Sequence, residues 1–290
     1  MEEFINNFLK LVADNFHRDI SKMKSLCELK NLRFDSLNYQ PNYNNTAIQR
    51  LYLLRYAYAY ISEYYYLYNL IFDRNLNKKL NVLSIGAGCG LDYYGAYFAN
   101  NGNKVNLKYC GIDIVDWEDK QSIGEYNIFI EDLAESDLSK FEDVNIILFP
   151  KSLFELPSEV ANNFFYSIQK QFFKCNSILL ISSQRSHYIG QDSNRFNELV
   201  SSFEKNGYRK ASGGLIEAPA DFTSFYHFVK FSCPSFIRPL LESLSDRCQY
   251  IKKCPNGCGE GFCDTRNQLN RGPMFSPKLM KIEHALVKRG

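Results

Sequence analysis

The chain of 290 residues has almost no excess charge of either sign. Its 34 Lys and Arg stand against 32 Asp and Glu, a formal net charge of +2. Bulk electrostatics therefore select no class of partner. A secretory signal is also lacking. The opening residues carry Glu2, Glu3, Asp14, Arg18 and Asp19, with no apolar run ending in a small-residue cleavage site. No hydrophobic stretch long enough to cross a bilayer is free of charge. The best candidate, Leu51 to Phe72, holds Arg55 and Glu63, and each would cost about 2.5–3.5 kcal/mol near a bilayer centre. The rest of that stretch is mostly tyrosine, so it reads as a buried helix, and no membrane association is expected. These absences point to the cytoplasm, where the nine cysteines are expected as reduced thiols or metal ligands. Internal repeats and low-complexity linkers are absent, and tryptophan occurs once, as Trp117. Tyrosine and phenylalanine, in contrast, number 20 and 23.

Three regions follow from the patterning. Residues 1–77 read as helical. Leu9, Leu11, Val12 and Phe16 mark a first amphipathic helix, and an Asn-rich loop follows near 38–45. Thr46 then caps a long helix to about Asp73, on which Tyr56, Tyr60, Tyr64 and Tyr68 form a stripe suited to packing. Residues 78–232 alternate short apolar runs with helical stretches. The runs are 81–85, 107–112, 127–130, 145–149 and 177–182. Such alternation predicts βαβ units with a parallel sheet buried on both faces. A helix near 195–205 and a strand pair at 208–212 and 224–231 complete this region. Residues 233–290 form a Cys-rich, basic extension.

The central motif is Val82-Leu83-Ser84-Ile85-Gly86-Ala87-Gly88-Cys89-Gly90. A strand runs directly into G-x-G-x-G, where the chain must turn sharply and let a ligand approach its backbone. The second strand ends on Asp113, whose carboxylate can accept both hydroxyls of a ribose. The third strand is followed by Glu131 and Asp132, and the fourth ends in Phe149-Pro150-Lys151-Ser152. This succession resembles the class I S-adenosylmethionine (SAM)-dependent methyltransferase superfamily across residues 80–232. The resemblance implies a Rossmann-like, doubly wound, mostly parallel sheet, here with an N-terminal helical cap and a Cys-rich C-terminal extension. It further implies that Gly86, Ala87, Gly88 and Gly90 pass the methionine part of SAM. Asp113 would take the ribose and Asp132 is the candidate for the adenine, with Ile114, Leu133 and Pro150 among the cofactor-binding candidates. Many members carry an acid two residues before the first glycine, where this chain has Ser84. A dinucleotide oxidoreductase is the rival reading, but Leu91 stands where its third glycine belongs.

Methyl transfer needs alignment more than a dedicated catalyst, and a base only if the acceptor starts protonated. Ser152 and Glu155, after the fourth strand, and His187, after the fifth, are the candidates for contact with the acceptor. Each also has a plainer reading, as helix cap, solvated side chain and loop histidine. Cys248, Cys254, Cys258 and Cys263 crowd into a glycine-rich segment, which suits a closed structural zinc site, or alternatively an iron–sulfur cluster. The acceptor is then a small molecule, or RNA or DNA drawn by the basic tail. The alternative from another class is a non-catalytic SAM- or nucleotide-binding module that recognises nucleic acid through that tail.

Overall fold

A computed structural model describes residues 1–23, 26–29, 42–73, 79–101, 105–184, 189–217, 232–246, 272–273 and 281–290. It divides into two compact units. One comprises Met1–Tyr60, Trp117–Gln121 and Phe225–Ser276; the other comprises Ile61–Asp116, Ser122–Ser224 and Pro277–Gly290.

The first unit holds helix α1 (Glu2–Lys22), the first half of α2 (Thr46–Asp73) and α6 (Ile237–Asp246). Ile5, Phe8, Leu9, Val12 and Phe16 recur on one face of α1 and are buried there. The N-terminus of α2 is capped by Asn45, not by Thr46. The Asn45 side-chain oxygen accepts from the Ala47 amide at 3.0 Å, while the Thr46 hydroxyl donates to Asp19 at 2.9 Å. A polar knot ties the unit together. Arg50 Nε donates to Asp119 at 2.7 Å, its Nη1 pairs with Asp19, and Asn15 also reaches Asp119. Tyr43 and Tyr52 pack on Trp117 with ring centroids 5.3 and 5.5 Å away.

The second unit is built on a seven-stranded sheet. Its strands are β1 (Lys79–Ile85), β2 (Asn106–Asp113), β3 (Asn127–Ile130), β4 (Ile146–Pro150), β5 (Ser177–Gln184), β6 (Tyr208–Glu217) and β7 (Lys281–Arg289). Their spatial order is β3-β2-β1-β4-β5-β7-β6. The first five strands run parallel, and β7 lies antiparallel between β5 and β6. Helices α3 (Leu91–Asn100), α4 (Ser158–Lys170) and α5 (Ile189–Lys205) make the crossovers. Burial explains the composition of the central strands. Six of the seven β1 residues and four of the five β4 residues are buried, as expected for parallel strands covered on both faces. Phe149, Phe164, Phe173, Phe196 and Phe203 fill the core beside the sheet.

The five parallel strands fall where the apolar runs predict them. The strand expected at 224–231 lies outside the described residues. The strand between β5 and β6 comes from Lys281–Arg289, which the basic composition places in the extension. Its Ile282, Ala285 and Val287 are fully buried and hold the strand in the sheet despite its four charged side chains. The order reverses between β1 and β4, each of which pairs with the other, so the crevice outside their carboxyl ends is where such a sheet receives a ligand.

Candidate functional site

The glycine loop closes this crevice. Gly86, Gly88 and Gly90 all have positive φ, at 72°, 60° and 87°, a backbone state that costs other residues strain. The Gly86 and Ala87 amides both donate to Ile112 O, at 2.8 and 3.1 Å, so the loop is tied to the end of β2. A Cβ on Gly86 would overlap the Cβ of Ser152. Close approach and positive φ therefore both demand glycine there.

Asp113 is fixed by the same loop. Its Oδ2 accepts from Gly88 N at 2.7 Å and its Oδ1 from Val115 N at 2.8 Å. Ile114 beside it, just past the end of an interior strand, is 70% exposed, an unusual state for an isoleucine. Asp132 follows β3, where its Oδ1 accepts from Ala134 N at 2.9 Å, and Leu133 is buried. Pro150 ends β4 opposite Ser183 of β5.

The sheet thus brings Gly86, Ala87, Gly88, Gly90, Asp113, Ile114, Asp132, Leu133 and Pro150 to the carboxyl ends of consecutive parallel strands. Ser152 is 6% exposed, and its hydroxyl donates to Ile85 O, so it fastens the turn after β4 to the base of the loop. Glu155 is half-buried in the turn that follows. His187 lies outside the described residues, as do Cys248, Cys254, Cys258 and Cys263. Among the described residues no group of three or more His, Cys, Asp or Glu could hold a metal ion, and no helix is long and apolar enough to cross a membrane.

Two buried polar groups escape a reading of the sequence. The first lies under the loop. Asp92, in the first turn of α3, is 1% exposed, and the Tyr109 hydroxyl donates to both of its oxygens at 2.8 Å. Burial pushes the Asp92 carboxyl up to about 6, against the pull of the Ser84 and Tyr109 hydroxyls and of the first-turn amides. Burial likewise raises the Tyr109 and Tyr68 phenols well above their ordinary value, and the charge of Asp92 adds to this. A buried carboxyl thus stands beside Ser84, eight residues further along the chain. Its signal in the sequence is an aspartate directly after the glycine loop.

The second group lies at the ends of β4 and β5. Lys151 Nζ donates to Glu63 Oε1 at 2.9 Å, to Ser183 Oγ at 2.7 Å and to Gln184 O at 3.3 Å. Ser183 Oγ also donates to Glu63 Oε1. Side-chain exposure is 7% for Lys151 and 0% for Glu63. Gln184 continues the network to Glu283 of β7 at 2.6 Å.

The fold is a Rossmann-like, mostly parallel seven-stranded sheet with helical crossovers. No protein-family model matches the sequence, and no curated protein matches it. Solved structures similar to it include the plantazolicin methyltransferase BpumL in complex with a triazolic desmethylPZN analog and SAH, at 14% identity over 100% of both chains and a TM-score of 0.36. Magnesium protoporphyrin IX methyltransferase (ChlM) from Synechocystis PCC 6803 with bound SAM matches at 12% identity over 79% of each chain, TM-score 0.37. The 1,6-didemethyltoxoflavin-N1-methyltransferase of Burkholderia thailandensis matches at 10% identity over 78% of this chain and 79% of that one, TM-score 0.37.

Proposed function

We propose that the chain is a SAM-dependent methyltransferase. The observation that carries this reading is the joint between the loop and Asp113. Three glycines in left-handed conformation, the middle one hydrogen-bonded to the acid that ends β2, make a cradle closed on one side by backbone and on the other by a carboxylate. Asp113, at the end of β2, would accept from the two ribose hydroxyls. The exposed Ile114 offers an apolar contact to a purine face, and Asp132 an acceptor for its amino group. The glycine loop would pass the methionine part of SAM toward Pro150. When bound, SAM supplies a methyl group on a sulfonium that needs no further activation. The chain's own part is to hold that methyl in line with the acceptor and to keep water out. Ser152 and Glu155, beside the end of β4, are the described candidates for meeting the acceptor, and His187 remains one on its sequence position. For Cys248, Cys254, Cys258 and Cys263 we propose a structural zinc, on spacing alone.

Calorimetry with SAM, S-adenosylhomocysteine (SAH) and NAD tests the reading. The first two should bind and NAD should bind poorly. Hydrogen bonds to a charged group are worth about 1.5–3 kcal/mol, so Asp113→Ala should weaken SAH binding roughly 10- to 100-fold. Unchanged affinity in a folded Asp113→Ala protein would remove the ribose role. Release of SAH from SAM in the presence of cell-extract fractions would then separate a transferase from a binding module.

A further inference from the structure

Lys151 is the one non-glycine among the described residues with positive φ, at 63°. Strain of this kind persists only where the surroundings over-determine it. Its amide donates to Phe149 O at 3.0 Å and to Ser183 O at 3.1 Å, and its ammonium spends all three protons on Glu63, Ser183 and Gln184. The next residue, Ser152, packs its Cβ against the α-carbon of Gly86 and bonds Ile85 O. Glu63 itself is fully buried, and its Oε2 has no hydrogen-bond partner. A buried carboxylate left half-satisfied is uncommon in a native fold.

We propose that Glu63 and Lys151 are positioning residues of the ligand site: their buried ion pair holds the left-handed turn at the end of β4, and that turn presses Ser152 onto the first glycine of the loop. The pair acts through backbone and not through contact with ligand. Helix α2, which carries Glu63, is thereby part of the binding device and not only packing for the sheet. Removing one partner would strand the other charge in the interior, so single variants would lose stability whatever the pair does.

The discriminating test therefore neutralises both at once and varies only the backbone freedom at position 151. Glu63→Gln/Lys151→Gly removes the ion pair but leaves a residue for which positive φ costs nothing. Glu63→Gln/Lys151→Met removes it and leaves a residue that relaxes toward negative φ. Glu63→Gln/Lys151→Asn lies between, since asparagine tolerates the left-handed region. Hydrogen exchange of the Gly86 and Ala87 amides reads the loop directly. Protection should stay near wild type with Gly, fall partly with Asn and collapse with Met. SAH affinity, which rests on the SAM reading, should follow the same order, with a loss of about tenfold or more for Met relative to Gly. A wild-type protein that binds no SAH would overturn the SAM reading and leave the exchange result to decide this one. Equal protection in the Gly and Met variants would overturn the proposal, as would collapse in the Gly variant. Should the Met variant fail to fold, the comparison of Gly with Asn decides in the same way.

Discussion

At the scale of single residues, the buried carboxyl of Asp92 has a measurable consequence. Its folded value, about 6, stands above the ordinary 3.8. The sign follows from proton binding: the folded state holds this proton more tightly than the unfolded chain does. The stabilising contribution is therefore fully present below pH 3.8 and is lost as pH rises through about 6. At about 1.4 kcal/mol per pH unit, the loss is about 3 kcal/mol. Asp92→Asn cannot ionise, so this part of its stability should not change with pH. Urea unfolding of both proteins from pH 4 to 8 checks this: the difference in unfolding free energy should shift toward the variant by up to that amount across the window, and parallel curves would refute it. This residue also shows where reading the sequence stops. Gly86, Gly88, Gly90 and Asp113 announce themselves by spacing, because a strand, a turn and an acid must follow one another along the chain. Asp92 with Tyr109, and Glu63 with Lys151, are joined across 17 and 88 residues. Only the folded sheet brings them together.

At the scale of elements, the same division holds. Strands β1, β4 and β5 were legible because a parallel strand covered on both faces must be a continuous apolar run. Strand β7 was not, since Lys281, Glu283, Lys288 and Arg289 hide the three residues that its place between β5 and β6 buries. The long helix α2 was legible in extent but not in its partner. That partner is α3, through Gly95. A Cβ on Gly95 would lie 2.6 Å from both the Cβ of Tyr64 and the backbone nitrogen of Tyr65. Tyr64 of the tyrosine stripe is 1% exposed at this contact. The backbone of α2 cannot swing aside as a side chain would. Gly95→Ala gains about 1 kcal/mol of helix propensity but forces a well-packed contact apart, which typically costs about 1–3 kcal/mol. The variant should be destabilised by about 1 kcal/mol, although the same change in an exposed helix would stabilise. A higher urea midpoint for Gly95→Ala would show that the two helices do not meet there.

At the scale of the whole molecule, the sheet unit and the Cys-rich segment should answer to different ligands. Gly86, Gly88, Asp113 and Asp132 all belong to the unit that contains the sheet. A ligand that binds only the folded form stabilises it by about 2.7 kcal/mol at a hundred times its Kd. In a unit of this size each kcal/mol raises the melting temperature by about 2–4 °C. SAH at that excess should therefore raise the sheet's transition by roughly 5–10 °C. The four cysteines at 248, 254, 258 and 263 sit far along the chain from the glycine loop, and a structural metal adds its binding energy to whatever it folds. Thermal unfolding with and without a zinc chelator, each in the presence and absence of SAH, separates the two contributions. The SAH shift should survive chelation, while the chelated protein alone should show a lower or broader first transition. Loss of the SAH shift on chelation would mean that the metal supports the ligand site itself. An unchanged melting curve, with no zinc in the untreated protein, would leave the four cysteines as free thiols.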